Sequence, residues 1–361
     1  MALDRISILD FRNHRQTALE DTARFNLLVG ANGAGKTNVL EALSLLAPGR
    51  GLRRAKLPEM ARIDGPGGFT VAARLQPADG AEPVQLGTVV DAAQPNRRRV
   101  RVNGAERSAL GLSEWLSVRW LTPAMDGLFT DSAGARRRYL DRLALATAPG
   151  HAALSNRYET ALRNRNRLLS DDAPPDPQWL DALEAQLAEH GTAIAANRRA
   201  LVEELNRELE AQADALFPRP LLAIEPTGPE EHTALADALR DNRRTERRAG
   251  RTLIGPHRAE LAVTLADKGV PAARASTGEQ KAMLIAITLA HGALATRGRA
   301  GLLLLDEVAA HLDPQRREAL FARLAANGEQ VWMTGTERMP FDPILPDAAV
   351  WDVSGGSLRR I

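Results

Sequence analysis

The segment that most restricts this chain is Gly30-Ala31-Asn32-Gly33-Ala34-Gly35-Lys36-Thr37, which fits G-x-x-x-x-G-K-[ST]. It follows an apolar, strand-like run, Phe25–Val29, and opens a helical pattern from about Lys36 to Leu46. That is the context the motif needs. A strand, glycine loop and helix in this order imply an α/β fold whose backbone N–H groups converge on phosphate oxygens at a helix N-terminus. Glycines at 30, 33 and 35 leave the backbone open to that approach. Lys36 brings a point charge to the β- and γ-phosphates, and Thr37 a hydroxyl to Mg²⁺. A nucleotide-binding protein is therefore expected.

The second half of such a site lies far along the chain. Leu302-Leu-Leu-Leu-Asp306-Glu307 is an unbroken apolar strand ending in two acids. A strand buried on both faces belongs to a parallel sheet, whose C-terminal edge is where ligands bind. Asp306 is placed to hold Mg²⁺, and Glu307, one residue further out, to accept a proton from attacking water. Between the two halves, Ser276-Thr277-Gly278-Glu279-Gln280-Lys281 heads the apolar helix Ala282–Ala295. Alone, that hexad is a good helix cap and an anion site.

Coarse patterning divides the chain in three. Segments 69–75, 84–90 and 97–102 look like strands, with Asn103-Gly104 as a hairpin turn. Ser132 to Leu169 is helical, and the prolines at 174, 175 and 177 end it. A second long helix is expected from about Gln178 to Leu216, with Leu180, Leu187, Ile194 and Leu201 forming a seven-residue stripe that faces a partner helix. Strands return after Gly255, at Leu261–Leu265, Leu302–Leu305, Gln330–Met333 and Ala349–Val353. We therefore expect a discontinuous α/β domain, residues 1–125 and 255–361, with a compact helical arm, 126–254, inserted in it.

Composition excludes several classes. The 361 residues contain no Cys, which removes disulfide scaffolds, thiolate zinc sites and Cys catalysis. The longest mostly apolar stretch, Ala282–Ala295, is short of the ~20 residues a membrane span needs, and the first 15 residues lack a signal-peptide core. A cytoplasmic protein is expected. Lysine occurs only at positions 36, 56, 268 and 281, so 43 of the 47 basic residues are arginine, although net charge is only +2. Arginines cluster at 97–101, 136–142 and 240–251. Clustered guanidinium suits phosphate recognition, against the plainer reading of solvated, salt-bridged helix faces. Arg136, Arg137, Arg138, Arg243, Arg244, Arg247 and Arg248 are the candidates for such phosphate contact. The seven His show no i, i+4 pairing, and His257 is taken as a packed or hydrogen-bonded residue.

Taken together, the three motifs resemble those of the ATP-binding-cassette ATPases. Their phosphate loop is G-x-N-G-x-G-K-[ST], with Asn32 in place here, and their signature is S-x-G-[EQ]. Their D-loop matches Leu312-Asp313. The resemblance implies a head-to-head dimer with two ATP molecules between subunits, in which Ser276 to Lys281 act on the partner's nucleotide. Within that superfamily, an intervening arm of two ~35-residue helices (~50 Å) is too long for a transporter subunit and too short for chromosome-maintenance proteins. Leu9-Asp-Phe-Arg12-Asn13, Leu121-Thr-Pro-Ala-Met-Asp126, Arg137-Arg-Tyr-Leu-Asp-Arg142, Tyr158 through Leu169, and Gly255-Pro-His-Arg-Ala-Glu-Leu261 resemble segments of the RecF family of recombination mediators.

That second resemblance adds Arg12 and Asn13 to the nucleotide site. It implies a weak, DNA-stimulated ATPase that binds duplex or gapped DNA and works with RecO and RecR to load RecA. Two departures stand out. Thr334-Gly-Thr336 follows the Gln330–Met333 strand where transporters carry a switch histidine, and no Gln occupies the Leu121–Asp126 stretch where a Q-loop is expected. Two alternatives remain: a transporter-type energy module, or a non-hydrolysing DNA scaffold. Arm length and arginine clusters oppose the first; intact Lys36, Asp306, Glu307 and Ser276 oppose the second.

Overall fold

The computed structural model describes residues 2–77, 80–212, 216–296, 299–309 and 312–361. In chain order, β1 (Ala2–Phe11), β2 (His14–Glu20) and β3 (Phe25–Val29) precede helices α1 (Lys36–Ser44) and α2 (Leu57–Met60). Strands β4 (Phe69–Gln76), β5 (Val84–Val90), β6 (Arg98–Val102), β7 (Ala105–Arg107) and β8 (Leu116–Leu121) follow. The middle of the chain holds α3 (Ala133–Thr147), α4 (His151–Ser170), α5 (Pro177–Ala211), β9 (Pro220–Glu225), α6 (His232–Asp241), α7 (Arg243–Ala249), β10 (Glu260–Leu265) and β11 (Val270–Pro271). Last come α8 (Thr277–Ala295), β12 (Ala300–Leu305), α9 (Pro314–Ala326), β13 (Gln330–Gly335), β14 (Ala348–Ser354) and β15 (Ser357–Arg360).

Contacts divide the chain into two units, Met1–Asp126 with Thr288–Ile361, and Gly127–Ile287. The first unit holds two six-stranded sheets. One is antiparallel, in the order β2-β1-β4-β5-β6-β7; the other runs β15-β14-β3-β13-β12-β8 and is parallel from β14 to β8. Helix α1 supplies Val39, Leu40 and Leu43 to a core shared with Ile6, Ile8 and Val71 of the first sheet and Leu302, Leu304 and Trp332 of the second. The leucine run of β12 is buried on both sides because β8 and β13 flank it and layers cover both faces. Asn103 and Gly104 take positive φ of 49° and 81°, the geometry a two-residue hairpin turn between β6 and β7 requires.

The second unit is built on α5. Leu180, Leu187, Ile194 and Leu201 are all buried, and the core adds Tyr158 and Ala161 of α4 with Leu235 and Leu239 of α6. Gly191 lets α4 come close: a Cβ there would stand 3.1 Å from the Tyr158 ring. A three-stranded sheet, β11-β10-β9, completes the unit.

Three expectations change. The limb before the prolines is two helices, broken at 148–150, so the 20 residues of α4, about 30 Å, form the main pairing with the longer α5. Helix α5 ends at Ala211 rather than near Leu216, and residues 213–215 lie outside the described residues. Residues 255–287, expected with the head, fall in the second unit because β10 pairs along its length with β9.

Candidate nucleotide site

Strand β3 delivers the glycine loop to the edge of the parallel sheet, and α1 leaves it at Gly35, whose φ is 113°. A Cβ on Gly30 would stand 2.3 Å from the Val353 carbonyl oxygen, so only glycine fits where the loop starts. Lys36 Nζ donates to the Gly30 and Ala31 carbonyls at 2.6 and 3.0 Å. Burial lowers its pKa, while the charges of Glu307 and Asp306 raise it. These are the carbonyl bonds a phosphate would compete for.

The two acids after β12 join the loop through one chain of hydrogen bonds. Thr37 Oγ1 donates to Asp306 Oδ1 at 2.9 Å, and Thr334 Oγ1 donates to the same oxygen at 2.9 Å. Thr334 Oγ1 also accepts from the Glu307 backbone N–H at 2.9 Å. Glu307 has φ 54°, a left-handed conformation that non-glycine residues rarely adopt. The Thr334 hydroxyl meets the Glu307 amide just past the end of β12. A carboxylate beside a hydroxyl is a hard-oxygen pair that suits Mg²⁺, which takes few protein ligands. Among the described residues no group of three or more His, Cys, Asp or Glu is arranged to hold a metal ion.

Around the loop, Asn13 donates to the Ala34 carbonyl at 3.0 Å and accepts from Asn38. Its amide lies where a Gly35 side chain would be. Arg12, expected at the nucleotide, is instead forked onto the buried Glu41 of α1 at 2.7 and 2.9 Å and donates to the Glu59 carbonyl. Arg53 shares Glu41 at 3.0 Å. His14 is fully buried with Nε2 3.2 Å from the Gly35 carbonyl, and burial lowers its pKa. Sequence reasoning missed Glu41, Arg53, His14 and the role of Thr334, because each acts through contacts between distant segments.

Arg98 corrects the reading of its cluster. It is largely buried and donates to the carbonyls of Leu45, Ala47 and Gly49 and to Thr88 Oγ1, so it closes the end of α1 opposite the phosphate loop. Burial pulls its pKa down to about 10. Arg97 and Arg99 pair with Glu106 and Asp91.

In the second unit, Ser276 and Glu279 form a reciprocal cap. Glu279 Oε2 accepts from the Ser276 N–H and hydroxyl at 2.8 Å each, and Ser276 Oγ accepts from the Glu279 N–H. Lys268 pairs with Glu279 at 2.5 Å, and these bonds hold the Glu279 carboxyl at about 2. Thr277 and Gly278 are exposed, while Gln280 and Lys281 are buried. Asp313, in the first unit, caps α9 by accepting from the Arg316 N–H, with Leu312 buried beside it. His257 is hydrogen-bonded as expected: Nδ1 lies 2.8 Å from the Tyr158 hydroxyl and Nε2 3.3 Å from the Thr252 carbonyl.

The arginines proposed for DNA separate by partner. Arg136 is forked onto Glu260 at 2.6 and 3.0 Å, and Arg243 is bound to Glu184 and Asp181. Both are structural ties, because their charge is matched. Arg137 donates to the Ala259 carbonyl and Arg247 to that of Asp172, while Arg138, Arg244 and Arg248 are exposed.

Residues 2–339 match the RecF/RecN/SMC N terminal domain family. The DNA replication and repair protein RecF of Brucella suis biovar 1 (strain 1330) is 43% identical over 373 residues, covering 100% of this chain and 97% of that protein. RecF of Mesorhizobium japonicum is 45% identical over 370 residues, with 99% and 97% covered. Among solved structures, the recombination mediator protein RecF–ATPrS of the RecFOR pathway superposes with a TM-score of 0.86 at 22% identity, covering 99% and 98% of the two chains. An Smc head domain from Pyrococcus furiosus gives 0.54 at 15%, with 100% and 96% covered. The fold is therefore that of RecF and SMC heads, an ABC-type ATPase fold.

Proposed function

The chain belongs to the RecF family of DNA replication and repair proteins, and from that membership we propose an ATP-switched DNA-binding protein that works as a head-to-head dimer. The observation that carries the reading is the hydrogen-bonded chain Thr37–Asp306–Thr334–Glu307, which joins the phosphate loop to both acids. Lys36 and the loop amides hold the triphosphate. Thr37 and Asp306 hold Mg²⁺, which supplies charge neutralisation to the phosphates when bound. Glu307 accepts the proton of the attacking water, and Ser276 with the amides of its helix closes on the γ-phosphate of the partner's nucleotide.

Hydrolysis is then a slow, DNA-stimulated reset. Exposed arginines of the second unit supply sequence-independent contact with duplex or gapped DNA. RecO, RecR and RecA are the partners the family implies. Among the described residues no helix is long and apolar enough to cross a membrane.

The dimer is the part to test. Sedimentation with ATP and Mg²⁺ should find Glu307→Gln accumulated as a dimer, since it binds the bridging ligand but fails to activate water. Ser276→Arg should stay monomeric with ATP bound. Wild-type ATPase activity per chain should rise with protein concentration, and gapped-DNA binding should strengthen with ATP. A monomeric Glu307→Gln, or activity per chain that is flat with concentration, refutes the two-subunit site.

A further inference from the structure

Arginines 136 to 138 stand side by side in the opening turns of α3 and have different fates. Arg136 is neutralised by Glu260. Arg137 is half-buried, yet among the described residues its hydrogen bonds run to backbone carbonyls, Ala259 at 2.9 Å and Arg258 at 3.5 Å. Arg138 and Arg258 are exposed and have no ion pair among the described residues. The carboxylates nearby are already engaged. Asp141 is forked onto Arg198 at 2.7 and 2.8 Å and bonded to His151, and Asp131 accepts from the Ser132 N–H.

Arg137 and Arg138 converge: a Cβ built on Gly134 would stand 3.1 Å from Arg138 Nη1, 3.7 Å from Arg137 Nη2 and 3.8 Å from Ser132 Oγ, so both guanidiniums and the hydroxyl lie beside the same glycine. Ser132 Oγ accepts from the Ala135 N–H, which leaves its own O–H free to donate. Burial is the main cause that lowers the Arg137 pKa; the positive charges of Arg198 and Arg258 add to it, while Glu260 and Asp141 oppose it. No acid stands in the first turn of α3, so no carboxylate of that turn competes with an anion there.

We propose that Arg137, Arg138 and Arg258, with the Ser132 hydroxyl, form a phosphate-binding site that takes a backbone phosphate of DNA. The proposal rests on the DNA-binding reading above and adds where that contact is made. Guanidinium forks match the tetrahedral oxygens of a phosphodiester, and the Ser132 hydroxyl supplies a further donor. Arg136 is excluded from the site because Glu260 already holds its fork.

The test is binding of the full chain to a duplex of fixed length, measured across salt. Arg137→Gln/Arg138→Gln/Arg258→Gln should bind roughly tenfold more weakly at low salt, and its plot of log K against log salt should flatten by about 0.9 for each phosphate lost. ATP affinity should be unchanged. Because Arg137 also ties down the Ala259 carbonyl, Arg138→Gln/Arg258→Gln, which leaves that tie in place, decides the matter if the triple variant unfolds early. A variant that binds with wild-type slope and affinity overturns the site. A wild-type chain that binds no DNA overturns the DNA-binding reading instead.

Discussion

Thr334 is the residue on which the geometry of both acids depends, and replacing it by valine isolates that dependence. Valine keeps the β-branched shape that suits β13 and removes only the hydroxyl. Two bonds go: a charge-assisted one to Asp306, worth about 1.5–3 kcal/mol, and the acceptor of the Glu307 N–H, whose loss leaves a buried donor at about 1–3 kcal/mol. If roughly 3 kcal/mol of this falls on the transition state, kcat drops about 10²-fold. Nucleotide affinity should hold, because Lys36 and the loop amides are untouched and Thr37 still bonds Asp306. Single-turnover hydrolysis at saturating protein, beside equilibrium nucleotide binding, separates the two quantities. Thr334→Ser keeps the hydroxyl and should recover most of the rate. A Thr334→Val rate within twofold of wild type refutes the reasoning, as does a loss confined to nucleotide affinity.

Two further outcomes follow from buried groups. Arg98→Met should cost about 2 kcal/mol of stability in denaturant unfolding and weaken ATP binding, since it strips donors from the end of α1; Arg98→Lys should not restore either, because one ammonium cannot span three carbonyls and a hydroxyl. His257 has its pKa lowered to about 4, chiefly by burial, so the folded state resists protonation that the unfolded chain accepts at 6.5. Its contribution is present above pH 6.5 and lost as pH falls towards 4, at most ~3 kcal/mol, and His257→Asn should flatten that part of a stability–pH curve measured by thermal melting.

The parts of the fold that were legible are those whose signal is local. An unbroken leucine run ended by two acids marks β12, an Asn-Gly pair marks the β6–β7 turn, and a seven-residue stripe marks the buried side of α5. What escaped depends on pairing across the chain. Strand β9 is short, half-exposed and isolated among helices, and it exists because Pro220–Glu225 finds Glu260–Leu265. That single pairing moves the unit boundary from near 255 to Ile287. The break between α3 and α4 escaped for another reason: Pro149-Gly150 interrupts a pattern that stays apolar on both sides.

The site shows the same division, most sharply in its arginines. A motif is written in consecutive residues, so Lys36–Thr37 and Asp306–Glu307 stand out as candidates and the fold brings Thr37 to Asp306, whereas Thr334 reaches Asp306 only because β13 lies beside β12. Charge type alone does not say what a guanidinium faces. With four lysines in the chain, arginine takes the buried polar positions as well as the surface ones. Arg165 is fully buried and bonds Glu184, Glu246, Thr252 and the Leu239 carbonyl. Arg119 is held by Glu329 and the Thr288 carbonyl. Both use the planar fork of donors that lysine lacks. A cluster of arginines is therefore ambiguous until its acceptors are known, and the same three-residue run supplies one strut, Arg136, and two cations, Arg137 and Arg138, with no carboxylate of their own. Only the second kind leaves charge over for a phosphate.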